Sequence, residues 1–172
     1  MILSDRSRTV CLIVLSAMLV LLGCTGKGDT GGVAPDFSLE DLSGKEISLQ
    51  GARGSVVLLD FWATWCPPCL SSIPELVDIQ SKYRERGLVI IGASVDDPIM
   101  VSNGDLLAFK DRLGINYPIV RADARMLKAY FDNPERMAIP TMFIIDRAGK
   151  IIEKKVGFRP GVLEESLVKA LS

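Results

Sequence analysis

The stretch from Val56 to Cys69 places the strongest constraint on how this chain can fold. An apolar run is interrupted by Asp60, continues through two tryptophans, and ends in the motif Cys66-Pro67-Pro68-Cys69. A nearly continuous apolar run is typical of a central strand that is buried on both faces of a sheet. Beyond the motif the apolar spacing becomes helical, which predicts a helix from Pro67 to about Arg86. The sequence therefore places two cysteines where a buried strand passes into the first turn of a helix.

A cysteine pair at this position is equipped for thiol–disulfide exchange. A cysteine reacts as its thiolate, which the free N–H groups and the dipole of a helix N-terminus stabilise. Cys66 is the candidate nucleophile, and Cys69, one turn along the helix, is placed to resolve a mixed disulfide. Pro67 and Pro68 have no N–H group, so the Cys69 N–H can reach a Cys66 thiolate but the intervening residues cannot donate to it. Fewer donors stabilise the thiolate less, and we therefore expect a reducing rather than an oxidising pair.

Two motifs occur in order within an alternation of strands and helices: Asp60-Phe61-Trp62-Ala63 with Trp65-Cys66-Pro67-Pro68-Cys69, and then Ile139-Pro140-Thr141. Together with the N-terminus described below, they resemble the thioredoxin superfamily, and most of all its TlpA/ResA-like branch of membrane-tethered proteins. The resemblance spans roughly Val33 to Ser172. It implies an α/β thioredoxin fold with a central mixed sheet flanked by helices, an extra N-terminal β-hairpin and an inserted helix.

The resemblance also implies roles for residues around the cysteines. Asp60 matches a buried aspartate that exchanges a proton with the second cysteine, and burial raises carboxyl pKa values toward neutrality. The alternative for Asp60 is a local hydrogen-bonding role. Pro140 matches a cis-proline that places the Ile139 backbone opposite Cys66, ready to pair with an extended substrate strand. The other substrate-contacting positions implied by the resemblance are Trp65, Pro67 and Gly157.

Three features depart from the family pattern. TlpA/ResA-like proteins often carry a glutamate three residues after the second cysteine, where this chain has Ser72. Thioredoxins often supply a lysine on the neighbouring strand, where this chain has Gly92. The proton route therefore depends on Asp60 alone. The segment 131–138 is longer than in relatives, and it either selects a partner or is a surface loop without consequence.

The remaining pattern predicts an alternation of strands and helices with parallel crossovers. Capping of the helix that begins at Leu106 is assigned to Asn103 or Asp105. The predicted elements are hairpin strands at 37–42 and 46–49, a buried strand at 88–95, a helix at 106–113, an extended segment at 117–120, a helix at 123–131, hairpin strands at 142–146 and 150–156, and a helix at 162–171.

Residues 1–23 have the features of a bacterial secretory signal. A polar start with Arg6 and Arg8 precedes an apolar run that is shorter than the ~20 residues that cross a bilayer as a helix. The sequence Leu21-Leu22-Gly23-Cys24 resembles a lipobox, which predicts cleavage before Cys24 and lipidation of its sulfur. An uncleaved signal anchor and a plain secreted protein are the alternatives.

The region after Cys24 predicts a tethered domain. Residues 24–34 are rich in glycine and polar residues and are expected to form a flexible tether, and residues 35–172 are expected to form the thioredoxin-like domain. The protein is then a membrane-anchored lipoprotein outside the cytoplasm, in the periplasm or on the outer face of the cell envelope.

Composition excludes several classes of function. The chain has no histidine, which rules out Ser–His or Cys–His catalysis and histidine-ligated metals. Two cysteines in the domain cannot fill a tetrahedral zinc site, so we expect no metal and no cofactor beyond the redox-active Cys66–Cys69 disulfide. A net charge of −1 without charged blocks gives no indication of nucleic-acid binding, and we expect a monomer.

The function predicted from these observations is extracytoplasmic thiol–disulfide oxidoreductase activity in the reducing direction. The resemblance implies protein thiol or disulfide substrates, such as apocytochrome c or the cysteines of metal-site proteins, in cytochrome c biogenesis or related assembly. It also implies re-reduction by a membrane electron donor of the thiol-transporter type. A disulfide-forming oxidant, a thiol peroxidase and a non-catalytic binding lipoprotein are the alternatives.

Overall fold

The computed structural model describes residues 30–172, so the predicted signal peptide, Cys24 and most of the predicted tether lie outside the described residues. Within this part of the chain, no helix is both long and apolar enough to cross a membrane. The strands are β1 (Ser38–Glu40), β2 (Glu46–Ser48), β3 (Val56–Trp62), β4 (Leu88–Ser94), β5 (Ile119–Arg121), β6 (Thr141–Ile145) and β7 (Ile151–Val156). The helices are α1 (Pro67–Tyr83), α2 (Asn103–Arg112), α3 (Ala124–Tyr130) and α4 (Val162–Leu171).

Five strands form a central mixed sheet in the order β5-β4-β3-β6-β7. β3 is parallel to β4 and antiparallel to β6, β5 is parallel to β4, and β7 is antiparallel to β6. All seven residues of β3 are buried. The thioredoxin fold and the central position of the strand leading to Cys66 are thereby confirmed.

Side chains alternate across β3 and therefore contribute to two separate cores. Apolar residues at even-numbered positions of β3 pack with α1, α2, α4 and both cysteines. Those at odd-numbered positions pack with α3 and with residues of the N-terminal hairpin region. Asp60 has the even-numbered spacing, so its side chain lies on the face of the sheet that carries the cysteines.

The start of α2 differs from the prediction. Its N-cap is Ser102, not Asn103 or Asp105. The Asp105 N–H donates to Ser102 Oγ over 3.2 Å, and the Ser102 N–H donates to the Asp105 carboxylate over 2.8 Å. This reciprocal capping box uses Asp105 inside the first turn, so the helix begins three residues before the predicted Leu106.

The N-terminal hairpin of β1 and β2 covers the β5 edge of the sheet. Its strands pair antiparallel, as predicted. The Leu42 N–H donates to the Ile119 carbonyl over 3.1 Å, and Asp41 forms a bridge with Val120. An open strand edge is a template for unwanted pairing, and the hairpin occupies this one.

Residues 31–34, the last part of the predicted tether, pair with the β6–β7 turn. The Gly31 N–H donates to the Ile151 carbonyl over 2.7 Å, and the Ala34 N–H donates to the Gly149 carbonyl over 2.9 Å. Val33 also bridges to Lys150. These bonds attach residues 31–34 to the sheet at the β6–β7 turn.

Gln80 attaches α1 to β4. β5 pairs with β4 only from Gly92 onward, so the backbone groups of Leu88 and Ile90 need another partner on that side. Gln80 Nε2 donates to the Leu88 carbonyl over 3.1 Å, and Gln80 Oε1 accepts from the Ile90 N–H over 2.7 Å. The polar residue in the apolar stripe of α1 thus replaces two missing strand hydrogen bonds and fixes the helix on the sheet.

The Gln80→Leu variant is expected to be less stable by about 2–6 kcal/mol, because it leaves two buried backbone groups unpaired at about 1–3 kcal/mol each. Urea unfolding of the oxidised protein measures this loss. The same substitution at exposed Gln50 is the matched control, and its stability should stay within about 0.5 kcal/mol of the wild type. Equal stability of the two variants would contradict the assigned role of Gln80.

Candidate active site

All five strands of the sheet have one end at the same side, and the predicted site residues lie there. β3, β4, β5 and β7 end at this position, and β6 begins there. The segment that leaves β3 carries Cys66, the segment that enters β6 carries Pro140, and the segment that leaves β7 carries Gly157. The fold therefore brings together residues that are about 90 positions apart in the sequence.

Cys66 and Cys69 are joined in a disulfide at the N-terminus of α1. Cys66 is the N-cap residue in extended conformation, and its Sγ accepts the Cys69 N–H over 3.3 Å. Pro67 and Pro68 occupy the first two helical positions and donate nothing. Cys66 is 4% exposed and Cys69 0%, so an incoming group can reach Cys66 more readily.

The two tryptophans near the cysteines have opposite environments. Trp62 is 2% exposed and stacks near Phe109, with ring centroids 5.6 Å apart. Trp65 is 65% exposed, and Pro67 is also exposed. Trp65 and Pro67 therefore form an apolar rim beside Cys66 that a partner can contact, whereas Trp62 is a packing residue.

Asp60 is a carboxyl group without a charged partner in the core. It is 1% exposed, and loss of hydration raises its pKa from 3.8 to about 7. Its Oδ1 has no hydrogen-bond partner among residues 30–172. A buried carboxyl that titrates near neutrality is suited to exchanging a proton with a thiol on the same face of the sheet.

Aromatic rings occupy the place beside Asp60 where thioredoxins often have a lysine. Gly92 pairs directly with Asp60 across the strands. A methyl group on Gly92 would lie 3.0 Å from Trp62 Nε1 and 3.4 Å from a ring carbon of Tyr117. Burial and the nearby Asp60 raise the pKa of Tyr117 above its usual range. Because the neighbouring groups are aromatic rather than cationic, nothing on this strand offsets the desolvation of Asp60.

Ser72 does not replace the family glutamate as an acid or base. Its side chain is fully buried, and Ser72 Oγ donates to the Cys69 carbonyl of its own helix over 2.8 Å. A serine hydroxyl does not ionise near neutral pH. Among the residues next to the cysteines, Asp60 therefore remains the candidate proton acceptor.

The predicted cis-proline is present. The Ile139–Pro140 peptide bond is cis, and the Pro140 carbonyl accepts the Gly157 N–H over 2.8 Å. Ile139 is partly buried, and Gly157 is exposed with a positive φ of 78°. The Gly157 loop and the segment before β6 are thus attached to each other at the cysteine end of the sheet.

The sequence analysis did not identify Asp96, which directly follows the buried strand predicted at 88–95. Asp96 is 5% exposed, and its carboxylate accepts hydrogen bonds from Thr64, two residues before Cys66. The signal was available: β3 and β4 are both buried parallel strands, and the residues that follow their carboxyl ends come together. Farther along the loop that begins at Asp96, the side chains of Ile99 and Met100 are 89% and 79% exposed.

Over residues 30–172, no group of histidine, cysteine, aspartate or glutamate side chains is arranged to hold a metal ion. The candidate reactive groups at this end of the sheet are the two sulfurs and the Asp60 carboxyl. Together they can carry two electrons as a dithiol or disulfide and hold one proton.

The sequence matches the AhpC/TSA family over residues 30–154. The thiol-disulfide oxidoreductase ResA of Bacillus thuringiensis (strain Al Hakam) is 32% identical over 158 residues, which cover 87% of this chain and 86% of that protein. The ResA protein of Geobacillus thermodenitrificans is 36% identical over 155 residues, which cover 84% of this chain and 82% of that protein.

Solved structures of thiol:disulfide interchange proteins are also similar to this chain. A putative thiol:disulfide interchange protein DsbE from Chlorobium tepidum superposes with a TM-score of 0.72 and 34% identity, covering 84% of this chain and 99% of that one. A second thiol:disulfide interchange protein from Chlorobium tepidum, of the thioredoxin family, gives a TM-score of 0.74 at 30% identity, with 82% and 97% coverage.

The Asp60→Asn variant is expected to lose the decrease in folding stability that the wild type shows as the pH rises toward about 7. The folded protein keeps the Asp60 proton up to about pH 7, whereas the unfolded chain releases it near 3.8. The folded state therefore binds more protons in this range, and wild-type stability falls as the pH rises through it, by an amount on the order of a few kcal/mol. The variant has no such proton and keeps that stability at high pH.

Urea unfolding of the oxidised proteins at about pH 4.5 and about pH 8 measures the difference between wild type and variant. Asp78→Asn, at an exposed position of α1, is the control and should follow the wild type. A stability difference between wild type and Asp60→Asn that stays constant with pH would contradict the raised pKa.

Proposed function

The chain belongs to the AhpC/TSA family and is a thiol–disulfide oxidoreductase, and we propose that it reduces protein disulfides outside the cytoplasm. Cys66 and Cys69 supply the electrons as a dithiol, and the disulfide they form is the only redox group in the proposed cycle. The few N–H donors at the helix N-terminus around Cys66 support the proposed direction of electron flow. The N-terminal sequence supports the proposed location.

In the proposed reaction the Cys66 thiolate attacks one sulfur of a substrate disulfide, and the other substrate sulfur leaves as a thiolate. The Cys69 thiol then loses its proton to the Asp60 carboxylate, and the resulting thiolate attacks Cys66 Sγ. This breaks the mixed disulfide, forms the Cys66–Cys69 disulfide and releases the substrate as a dithiol. Two electrons pass to the substrate, and a second dithiol must return them to the protein.

The observation that carries the reducing direction is the donor set of the Cys66 sulfur. Of the first three helical residues, only Cys69 offers an N–H, at 3.3 Å, because Pro67 and Pro68 have none. A thiolate with few donors is stabilised less, so the dithiol gives up its electrons more readily. No histidine is available anywhere in the chain to stabilise the thiolate by charge.

The geometry of the domain suits an N-terminal anchor. Residues 31–34 enter at the β6–β7 turn, which is the end of the sheet opposite Cys66. β3 has seven residues, so this attachment lies roughly 20 Å from the cysteines. In a lipoprotein tethered through Cys24, the anchor would then join the domain at the end opposite the cysteines and leave them accessible to proteins.

The proposed substrates are extracytoplasmic proteins with paired cysteines, of which apocytochrome c and metal-site proteins are the candidates. The relatives' name, thiol-disulfide oxidoreductase ResA, supports the reaction class. A membrane protein of the thiol-transporter type is the proposed electron donor. The exposed Trp65 and the Ile139 backbone are proposed to contact the substrate chain, with Pro67 and Gly157 on either side.

Among the alternatives, a disulfide-forming oxidant would use the same residues and differ in reduction potential. A thiol peroxidase of related fold needs a Pro-x-x-x-Thr/Ser-x-x-Cys frame, but this chain has Leu59 and Ala63 at those positions. A non-catalytic binding lipoprotein would not require the buried carboxyl of Asp60 beside the cysteine pair, and insulin reduction without turnover would favour it.

The reduction potential of the Cys66–Cys69 pair should lie closer to about −270 mV, as in thioredoxin, than to about −120 mV, as in strongly oxidising proteins. Equilibration of the full-length chain in detergent with glutathione or dithiothreitol buffers measures it. A value near the oxidising limit would overturn the proposed direction.

The Pro68→Ala variant should shift this potential upward by about 30 mV, which is a tenfold change in the exchange equilibrium, because it restores an N–H directed at the N-cap sulfur. Pro74→Ala adds an N–H to the same helix farther from the sulfur and is the matched control. Equal potentials for Pro68→Ala and wild type would contradict the donor argument.

The Cys69→Ser variant should accumulate mixed disulfides at Cys66, because the resolving thiol is missing. Expression of the full chain, acid quenching and non-reducing electrophoresis detect them, and the captured proteins are then identified. Cys66→Ser is the control and should capture none. Capture of cytoplasmic proteins alone would contradict the proposed location, whereas equal capture by both variants would contradict the roles of the cysteines.

A further inference from the structure

We propose that Asp96 is a positioning residue, whose carboxylate holds the turn between β3 and α1 in the shape that presents Cys66 to a substrate disulfide. The proposal depends on thiol–disulfide exchange at Cys66, but not on the direction of electron flow or the location of the protein. Asp96 acts through Thr64 and contacts neither sulfur.

The contact between Asp96 and Thr64 involves both the backbone and the side chain of Thr64. The Thr64 N–H lies 3.2 Å from Asp96 Oδ1 and 3.1 Å from Oδ2, and Thr64 Oγ1 donates to Oδ1 over 2.7 Å. These bonds join residues 32 positions apart in the sequence. Hydrogen bonds to a carboxylate are stronger than those between neutral groups, so this pair is well suited to hold a turn.

Asp96 is itself held in place. Ser94 Oγ donates to Asp96 Oδ2 over 2.9 Å, and Ser94 is the last residue of β4. The Arg121 guanidinium donates to the carbonyl groups of Asp96 and Val101 and to the side chain of Asn103. The carboxylate therefore has a fixed position relative to the sheet, and it transmits that position to Thr64.

Burial of Ala63 and Cys66 also holds the turn that Thr64 belongs to, but among the described residues the Thr64 N–H and hydroxyl bond only to Asp96. Trp65 is 65% exposed, so its ring does not anchor the turn in the core. The Cys66 N–H donates to the Ala63 carbonyl over 3.3 Å, and the Leu70 N–H donates to the Cys66 carbonyl over 3.1 Å. Thr64 lies within this short turn, so releasing it would let Cys66 leave its N-cap position, where Sγ accepts the Cys69 N–H.

Two effects of Asp96 on the Cys66 thiolate have opposite signs, and they can be separated. Its hold on Thr64 favours the thiolate by keeping Sγ at the helix N-terminus. Its negative charge near the site disfavours the thiolate. Thr64→Val removes the hydroxyl bond and keeps the charge, whereas Asp96→Asn removes the charge and keeps an oxygen acceptor for Thr64.

The test measures how fast Cys66 of the reduced full-length protein reacts with iodoacetamide between about pH 5 and about pH 10, together with urea stability. Thr64→Val should raise the measured pKa of Cys66 and slow its reaction at neutral pH about tenfold, since a displacement of about 1 Å can cost up to ~100-fold. Thr64→Ser keeps the hydroxyl and should react within about twofold of wild type. Asp96→Asn should fall between wild type and Thr64→Val.

Two control variants are matched to these substitutions. Ser81→Ala deletes a hydroxyl that bonds to a helix carbonyl far from Cys66, and Asp97→Asn removes the charge of an exposed neighbour of Asp96. Both should retain the wild-type pH profile. The pH profiles of Cys66 reactivity do not depend on the reduction potential. The role of Asp96 can therefore be tested in the same way even if the protein proves to be an oxidant.

Two results would overturn the proposal. If Thr64→Val loses stability but keeps the wild-type profile of Cys66, the Asp96 contact is structural only. If Asp96→Asn reacts faster than wild type while Thr64→Val is unchanged, Asp96 acts through its charge and not through the turn. Slower reaction of Thr64→Val with rescue by Thr64→Ser supports the proposal.

Discussion

The site depends on the burial of β3 on both faces. The strand lies in the middle of the sheet, and all seven of its residues are shielded from water. Six of them are apolar and stabilise the fold through that burial. The seventh, Asp60, loses its hydration without gaining a charged partner, and this loss raises its pKa to about 7. The packing that holds the domain together therefore also creates a group that can exchange a proton at neutral pH.

This arrangement costs stability at the site. Asp60 Oδ1 and Trp62 Nε1 are both buried without a hydrogen-bond partner in residues 30–172. Such groups cost about 1–3 kcal/mol each, which a large apolar core can offset. Gly92 belongs to the same arrangement, because a side chain there would press on the rings of Trp62 and Tyr117. A lysine at position 92 would need those rings to move and would lower the pKa of Asp60.

The reactive sulfur takes the place that an oxygen usually has at a helix N-terminus. Cys66 accepts a single N–H, and the two prolines after it begin the helix without donors. Proline is well accommodated at the first helical position, so the helix forms readily while its N-terminus attracts the thiolate weakly. A helix N-terminus with more free N–H groups would stabilise the thiolate more strongly. In this motif the two prolines favour the start of the helix without adding N–H donors to the thiolate.

Local patterns in the sequence predicted the order and type of the elements, the position of β3 and the cysteine pair. Hairpin and helix signals repeat every few residues, so they can be read locally. The bonds between Thr64 and Asp96, Gln80 and β4, and residues 31–34 and the β6–β7 turn could not be predicted in this way. Each joins a side chain or a backbone edge to a distant segment, and the sheet order must be known first.

The distribution of exposed apolar side chains distinguishes the two ends of the sheet. Among the described residues, the large apolar side chains with the greatest exposure are Ile99, Met100 and Trp65. All three follow the carboxyl ends of β3 or β4, and Arg121 holds the loop that carries the first two. The opposite end is occupied by the turn that binds residues 31–34. Exposed apolar groups at the cysteine end of the sheet suit a polypeptide substrate, since a small thiol would gain nothing from them.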